Sequence, residues 1–183
     1  MAKSVLHDLQ RVIAVVDPEL ETQPALKRLL ILAKTMQFDI KLVAFDYSQY
    51  LVEGYYFSEL ELPLLREEYL LERKEMLEAL AVPLRESGLH LATEAIWSYP
   101  RYTAIVDLVE SYKPGLVIQH AHRHGALSRL LLTNDDWQIM RHCPVPLLMV
   151  KDKPWKPSPV ILAGVDPMNA RAKPSGLDMK HSC

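Results

Sequence analysis

RVIAVVD, at residues 11–17, is a nearly unbroken apolar run rich in β-branched residues. A strand buried on both faces reads this way, and such strands belong to parallel sheets covered by helices. Asp17-Pro18 ends the run. Thr22 is placed to cap a helix, and Pro24 suits a first helical turn, where its missing N–H has no intrahelical partner to lose. Leu26, Leu29, Leu30 and Ala33 then recur at helical spacing, which predicts a helix over residues 25–36. IKLVAF, at residues 40–45, is the second strand.

The same alternation continues outward. Residues 46–63 form a long connection containing Tyr47, Tyr50, Tyr55 and Tyr56, read as a surface loop whose aromatic rings cover the sheet or line a pocket. A long helix is expected over residues 64–87, with Leu70, Leu77, Ala81 and Leu84 on one face and Gly88 as its stop. Pro83 should kink its last turn. HLATEAIW (residues 90–97) is a third strand, and RYTAIVDLVESY (residues 101–112) a helix with Ile105, Leu108 and Val109 inward. Lys113-Pro114-Gly115 turns the chain into a fourth strand at residues 116–119. A helix from Asn134 or Asp135 to about Arg141 and a fifth strand at residues 146–151 complete the series. Strands alternating with helices imply right-handed crossovers and a three-layer α/β sandwich around a five-stranded parallel sheet. Ligands of such sheets sit at the carboxyl ends of the strands. That rule makes Asp17, the turn at residues 97–101 and the segment starting at His120 neighbours in space.

Composition agrees with a packed domain. The chain has 183 residues, 49% hydrophobic and 24% charged. A net charge of −2 argues against nucleic acid as a main partner. Its two cysteines, Cys143 and Cys183, make no disulfide framework, which suits a reducing compartment. Residues 1–10 do not read as a signal peptide, and no apolar run is long enough to span a bilayer.

KPWKPSP, at residues 153–159, reads as a stiff linker after a domain at residues 1–152. Beyond it, Val165-Asp166-Pro167 ends an apolar run as Val16-Asp17-Pro18 does, and Pro174 and Leu177 partly repeat Pro24 and Leu26. Residues 160–183 therefore read as the start of a second copy, cut short. Its strand at residues 160–165 is expected to add to a sheet edge or to a partner chain.

Val15-Val16-Asp17-Pro18, Gln23-Pro24-Ala25-Leu26, Asp135-Asp136-Trp137, Cys143-Pro144, Val150-Lys151-Asp152 and Pro154-Trp155, in this order, resemble the universal stress protein family. The likeness is strongest to the N-terminal half of its tandem members. The resemblance implies the five-stranded sheet of adenine-nucleotide α-hydrolase-like folds, cytoplasmic location, and a homodimer through the last strand. Nucleotide-binding members carry a glycine loop, with glycines separated by two and then nine residues before a Ser or Thr. By that resemblance His120, Arg123 and Thr133 stand at the glycine positions and Asn134 at the Ser or Thr. Gly125 alone keeps the loop's character, and Asp17 matches the aspartate that meets the nucleoside. Three added side chains crowd the approach of phosphate to backbone N–H groups, so ATP is not the expected cofactor.

His120, His122 and His124 form a His-x-His-x-His run. If extended, the three imidazoles share a side and offer zinc a chelate. The alternative is that they bond carbonyls or face water. His142 and Cys143 follow the next helix. Cys143 precedes Pro144 in an apolar stretch and reads as a structural thiol. No Ser-His-Asp order, carboxylate pair or Cys-His dyad stands out. The expected role is a non-enzymatic stress-response module that binds a protein or a small ligand. The alternatives are a zinc-binding regulator and an ATP-binding or weakly hydrolysing domain.

Overall fold

Every residue of β1 (Arg11–Val16) after Arg11 is buried, as the apolar run requires. In a computed structural model, residues 9–47, 61–121 and 134–155 are described. The chain divides into two compact units. Leu6–Asp152 carries all the described elements; Met1–Val5 and Lys153–Cys183 make the other unit. The second Val-Asp-Pro run lies outside the described residues.

After β1 come α1 (Pro24–Leu32), β2 (Asp39–Asp46), α2 (Glu61–Glu86), β3 (His90–Trp97), α3 (Arg101–Tyr112), β4 (Leu116–His120), α4 (Asn134–His142) and β5 (Leu147–Val150). The sheet order is β3-β2-β1-β4-β5, and every pairing is parallel. The chain therefore runs outward from β1 to β3, crosses back, and runs outward again from β4 to β5. With right-handed crossovers that reversal puts α1 and α2 on one face and α3 and α4 on the other.

The period-two alternation of β1 shows both faces. Val12, Ala14 and Val16 join Ile40, Leu42 and Ala44 of β2 under Leu26 and Leu29 of α1 and Leu77 and Ala81 of α2. Ile13 and Val15 join Val43 and Phe45 under Ile105, Leu108 and Val109 of α3 and Ile139 of α4. Side chains such as Ile13, Leu42 and Ile118 are wholly excluded from water, each worth roughly 1.5–3 kcal/mol of burial.

Helix ends follow local chemistry. Gly88, at φ +91°, ends α2; its N–H donates to the Arg85 carbonyl (2.9 Å) and that of Leu89 to the Leu84 carbonyl (3.2 Å). Lys113 takes the left-handed conformation (φ 53°) that closes α3. Two expectations change at α1. The residue at its N-cap is Gln23, not Thr22, and Gln23 spends its side chain elsewhere. The helix stops at Leu32 rather than at residue 36; the Thr35 hydroxyl donates to the Leu32 carbonyl (3.1 Å). α2 begins at Glu61, three positions before the expected start, and runs on through Pro83 to Glu86.

Candidate functional site

The carboxyl end of the sheet gathers side chains from several elements. A cleft of about 280 Å³ lies there, lined among others by Asp17, Asp46, Tyr47, Tyr69, Arg73 and Arg101. A larger hollow of about 390 Å³ lies at the opposite end of the strands, lined by Gln10, Phe38, Gly88 and His90. Ligands of open α/β sheets bind beyond the carboxyl ends of the strands, so the smaller cleft is the candidate site.

Asp17 enters the cleft from the turn after β1. Its Oδ1 accepts the Glu19 N–H (3.0 Å), a short Asx turn. Gln23 holds this turn from within. Its side-chain amide donates to the carbonyls of Asp17 (2.8 Å) and Leu20 (2.8 Å), and its oxygen accepts the Asp17 N–H (3.0 Å).

Asp46 ends β2 as Asp17 follows β1. Its carboxylate pairs with the Arg73 guanidinium from α2, accepts the Tyr47 N–H (2.8 Å), and meets the Tyr69 hydroxyl (3.4 Å). The hydrogen bond to Asp46 raises the Arg73 pKa above its ordinary value, so this cation is permanent. Aromatic rings gather beside the pair. Tyr47 stacks on Tyr99 (4.4 Å between centroids), and Tyr69 meets Trp97 edge-on (5.6 Å). Arg73 lies 4.9 Å from the Tyr69 ring centre and Arg66 5.6 Å from that of Trp97, within cation–π range.

Arg101 closes the cleft from the start of α3. Its Nε donates to Asp135 Oδ2 (2.8 Å), and its Nη2 lies 3.8 Å from Asp136 Oδ1. Both aspartates stand in the first turn of α4, where negative charge complements the helix dipole. Asp136 is fully buried and accepts the Gln119 side-chain amide N–H (3.2 Å). A buried carboxylate persists only with such partners.

Asp17 and Arg101 therefore share one cleft, in keeping with the strand-end rule. His120 ends β4, opposite Val150 of β5. Asn134 opens α4. His122, Arg123, His124, Gly125 and Thr133 lie outside the described residues. Among the described residues no group of three His, Cys, Asp or Glu side chains is placed to hold a metal. Cys143 is half-buried against the α3 face, and burial pushes its thiol pKa up. Among the described residues, no helix is long and apolar enough to cross a membrane.

Sequence reading missed Asp46, Tyr69, Arg73 and the Arg101–Asp135 pair. Asp46 had a usable signal, since a carboxylate closing an apolar strand is the pattern that singled out Asp17. The pairs had none, because 27 residues separate Asp46 from Arg73 and 34 separate Arg101 from Asp135.

Comparison with known proteins gives a consistent result. The model of the universal stress protein family matches residues 9–151. Universal stress protein E of Escherichia coli (strain K12) is 30% identical over 148 residues, covering 80% of this chain and 46% of that protein. The chain thus spans about half the length of such curated relatives. Among solved structures, a putative universal stress protein from Pseudomonas aeruginosa UCBPP-PA14 superposes with a TM-score of 0.64 at 23% identity, over 82% of this chain and 46% of that one. Universal stress protein UspA from Lactobacillus plantarum gives 0.56 at 17% identity, over 77% and 97%. At these identities the two structures speak for the fold alone.

Proposed function

Because this chain belongs to the universal stress protein family, we propose that its domain is a non-enzymatic stress-response module of the cytoplasm that binds a small ligand or a partner protein and does not turn over nucleotide. The observation that carries the reading is the course of β4. The strand continues through His120, which pairs with Val150; by the resemblance, this residue takes the place of the first loop glycine of nucleotide-binding members. A side chain stands there instead of open backbone, and phosphate loses its approach to the N–H groups. The cleft suits only a small ligand: about 280 Å³ lies just under the usual range of ligand-pocket volumes.

The partner we propose first is a second copy of the chain, paired through β5. That strand is an edge of the sheet among the described residues, and Trp137 and Met140 of α4 each leave 47% of their surface exposed. Exposed aromatic and Met side chains are characteristic of protein interfaces.

Native mass spectrometry of untagged protein, with an ATP turnover assay, tests the reading. The expected result is a dimer without bound nucleotide and without ATP hydrolysis. Retained nucleotide, turnover, or a rise of several degrees in melting temperature with millimolar ATP refutes it. Stoichiometric zinc would transfer the function to His120, His122 and His124.

A further inference from the structure

Asp135 does two things at once. α3 starts after Pro100, whose side chain offers the helix no cap. Asp135 provides one from another helix, its Oδ1 accepting the Tyr102 N–H (3.2 Å). Its Oδ2 meanwhile accepts from Arg101 Nε (2.8 Å), while Asp136 stands 3.8 Å from Arg101 Nη2. The guanidinium that faces the cleft from α3 is thus already answered by carboxylates of its own chain. Arg73, the other guanidinium among the described cleft residues, is answered by Asp46.

A phosphorylated ligand entering this cleft must compete for both cations with tethered anions. Those anions surrender no translational freedom on pairing, whereas the ligand does. The described lining residues also carry Asp17, Glu19 and Asp46 against Arg73 and Arg101, so their summed charge is not positive.

We infer that Asp135 determines the ligand class: it is a built-in counter-anion that occupies Arg101, so the cleft accepts uncharged or cationic small molecules and refuses phosphorylated ones. The inference rests on the binding-module reading and names what that module selects. Asp135 acts through Arg101 and is a positioning residue.

Adenosine and AMP differ by the phosphate alone and are the probes. Calorimetric titrations are run on the wild type and on Asp135→Asn, which keeps an acceptor for the Tyr102 N–H and drops the charge. A cap alone would leave the AMP-to-adenosine ratio unmoved. The expected result is that Asp135→Asn strengthens AMP binding by about tenfold or more and leaves adenosine unchanged, because Arg101, left with only Asp136 at 3.8 Å, can donate charge-assisted bonds to phosphate. Should that variant not fold, Asp135→Ser repeats the test, its hydroxyl serving as acceptor. Equal AMP affinity in variant and wild type, or a wild type that prefers AMP to adenosine, overturns the inference. ATP turnover by the wild type is a separate result and would instead refute the binding-module reading.

Discussion

Replacing Gln23 with alanine should loosen the turn that carries Asp17, and its cost can be worked from the geometry. Gln23 is 9% exposed and makes three hydrogen bonds to the backbone of Asp17 and Leu20. The Asp17 carbonyl keeps a second donor, the Leu20 N–H (3.2 Å). The Asp17 N–H and the Leu20 carbonyl lose the partner that Gln23 supplies. At about 1 kcal/mol per net bond, Gln23→Ala should cost about 2–3 kcal/mol. Urea unfolding reads this as a lower midpoint with an unchanged slope. Gln23→Glu sharpens the test. The new carboxylate still accepts the Asp17 N–H, but it faces two carbonyl oxygens that the amide had served as donor. Those oxygens disfavour its charge, so its pKa in the folded state rises above the ordinary value of about 4.3. A raised folded pKa means that the penalty is full at neutral pH. It is relieved as pH falls through the folded pKa toward the unfolded one, where the protonated acid regains a donor. A loss below about 0.5 kcal/mol in Gln23→Ala, or a Gln23→Glu penalty that does not change with pH, would refute the assignment of Gln23 as the latch of this turn.

Glu78 should give acid sensitivity of the opposite sign. Its bonds to Arg85 (2.5 and 3.2 Å) and to the Thr93 hydroxyl lower its pKa from 4.5 to about 2. A depressed folded pKa contributes stability above the ordinary value that is lost as pH falls toward the folded one. Melting curves of the wild type and Glu78→Gln should therefore differ at neutral pH and converge between pH 4.5 and about 2; parallel curves over that range would contradict the pairing. The gap should be small, because the pair is solvent-exposed. Cys143, with its thiol pKa raised by burial, should react with iodoacetamide at neutral pH at least about tenfold more slowly in the native protein than in urea. Equal rates would place the thiol in water.

The sheet was legible because its signal is local. Four short apolar runs and the alternating run at residues 90–97, each ended by a Pro, Gly or polar residue, marked the strands, and the two buried faces of β1 follow from one unbroken run. Helix α3 matched its expected bounds, since Ile105, Leu108 and Val109 form a face and Lys113-Pro114 cannot continue it. The far end of α1 was misread for a physical reason. Ala33 and Met36 still pack on the core, so the apolar period outlasts the helical hydrogen bonding. The Thr22 cap failed because the turn is fixed by Gln23 reaching back six residues. Asp17 could be found from its place at a strand end. What answers each charge could not, because Arg73 and Asp135 come from distant helices.

The strand ends concentrate acid, and each carboxylate is held differently. Asp17 is shaped by its own turn and by the Gln23 latch, Asp46 by Arg73, and Asp136 by Gln119 and Arg101. Burying such groups costs free energy unless every one is partnered, so the partners are part of the architecture. Because these partners come from the turn between β1 and α1 and from α2, α3 and β4, the charges are fixed by the same packing that fixes the sheet. A ligand therefore meets a field that is already set. On the proposed reading, it gains less from bringing its own charge than from fitting the space lined by Asp17, Tyr47 and Tyr69. If the cleft binds as proposed, its selectivity is a matter of shape and desolvation. On the proposed reading, the His120 side chain and the Asp135–Arg101 pair both work against phosphate.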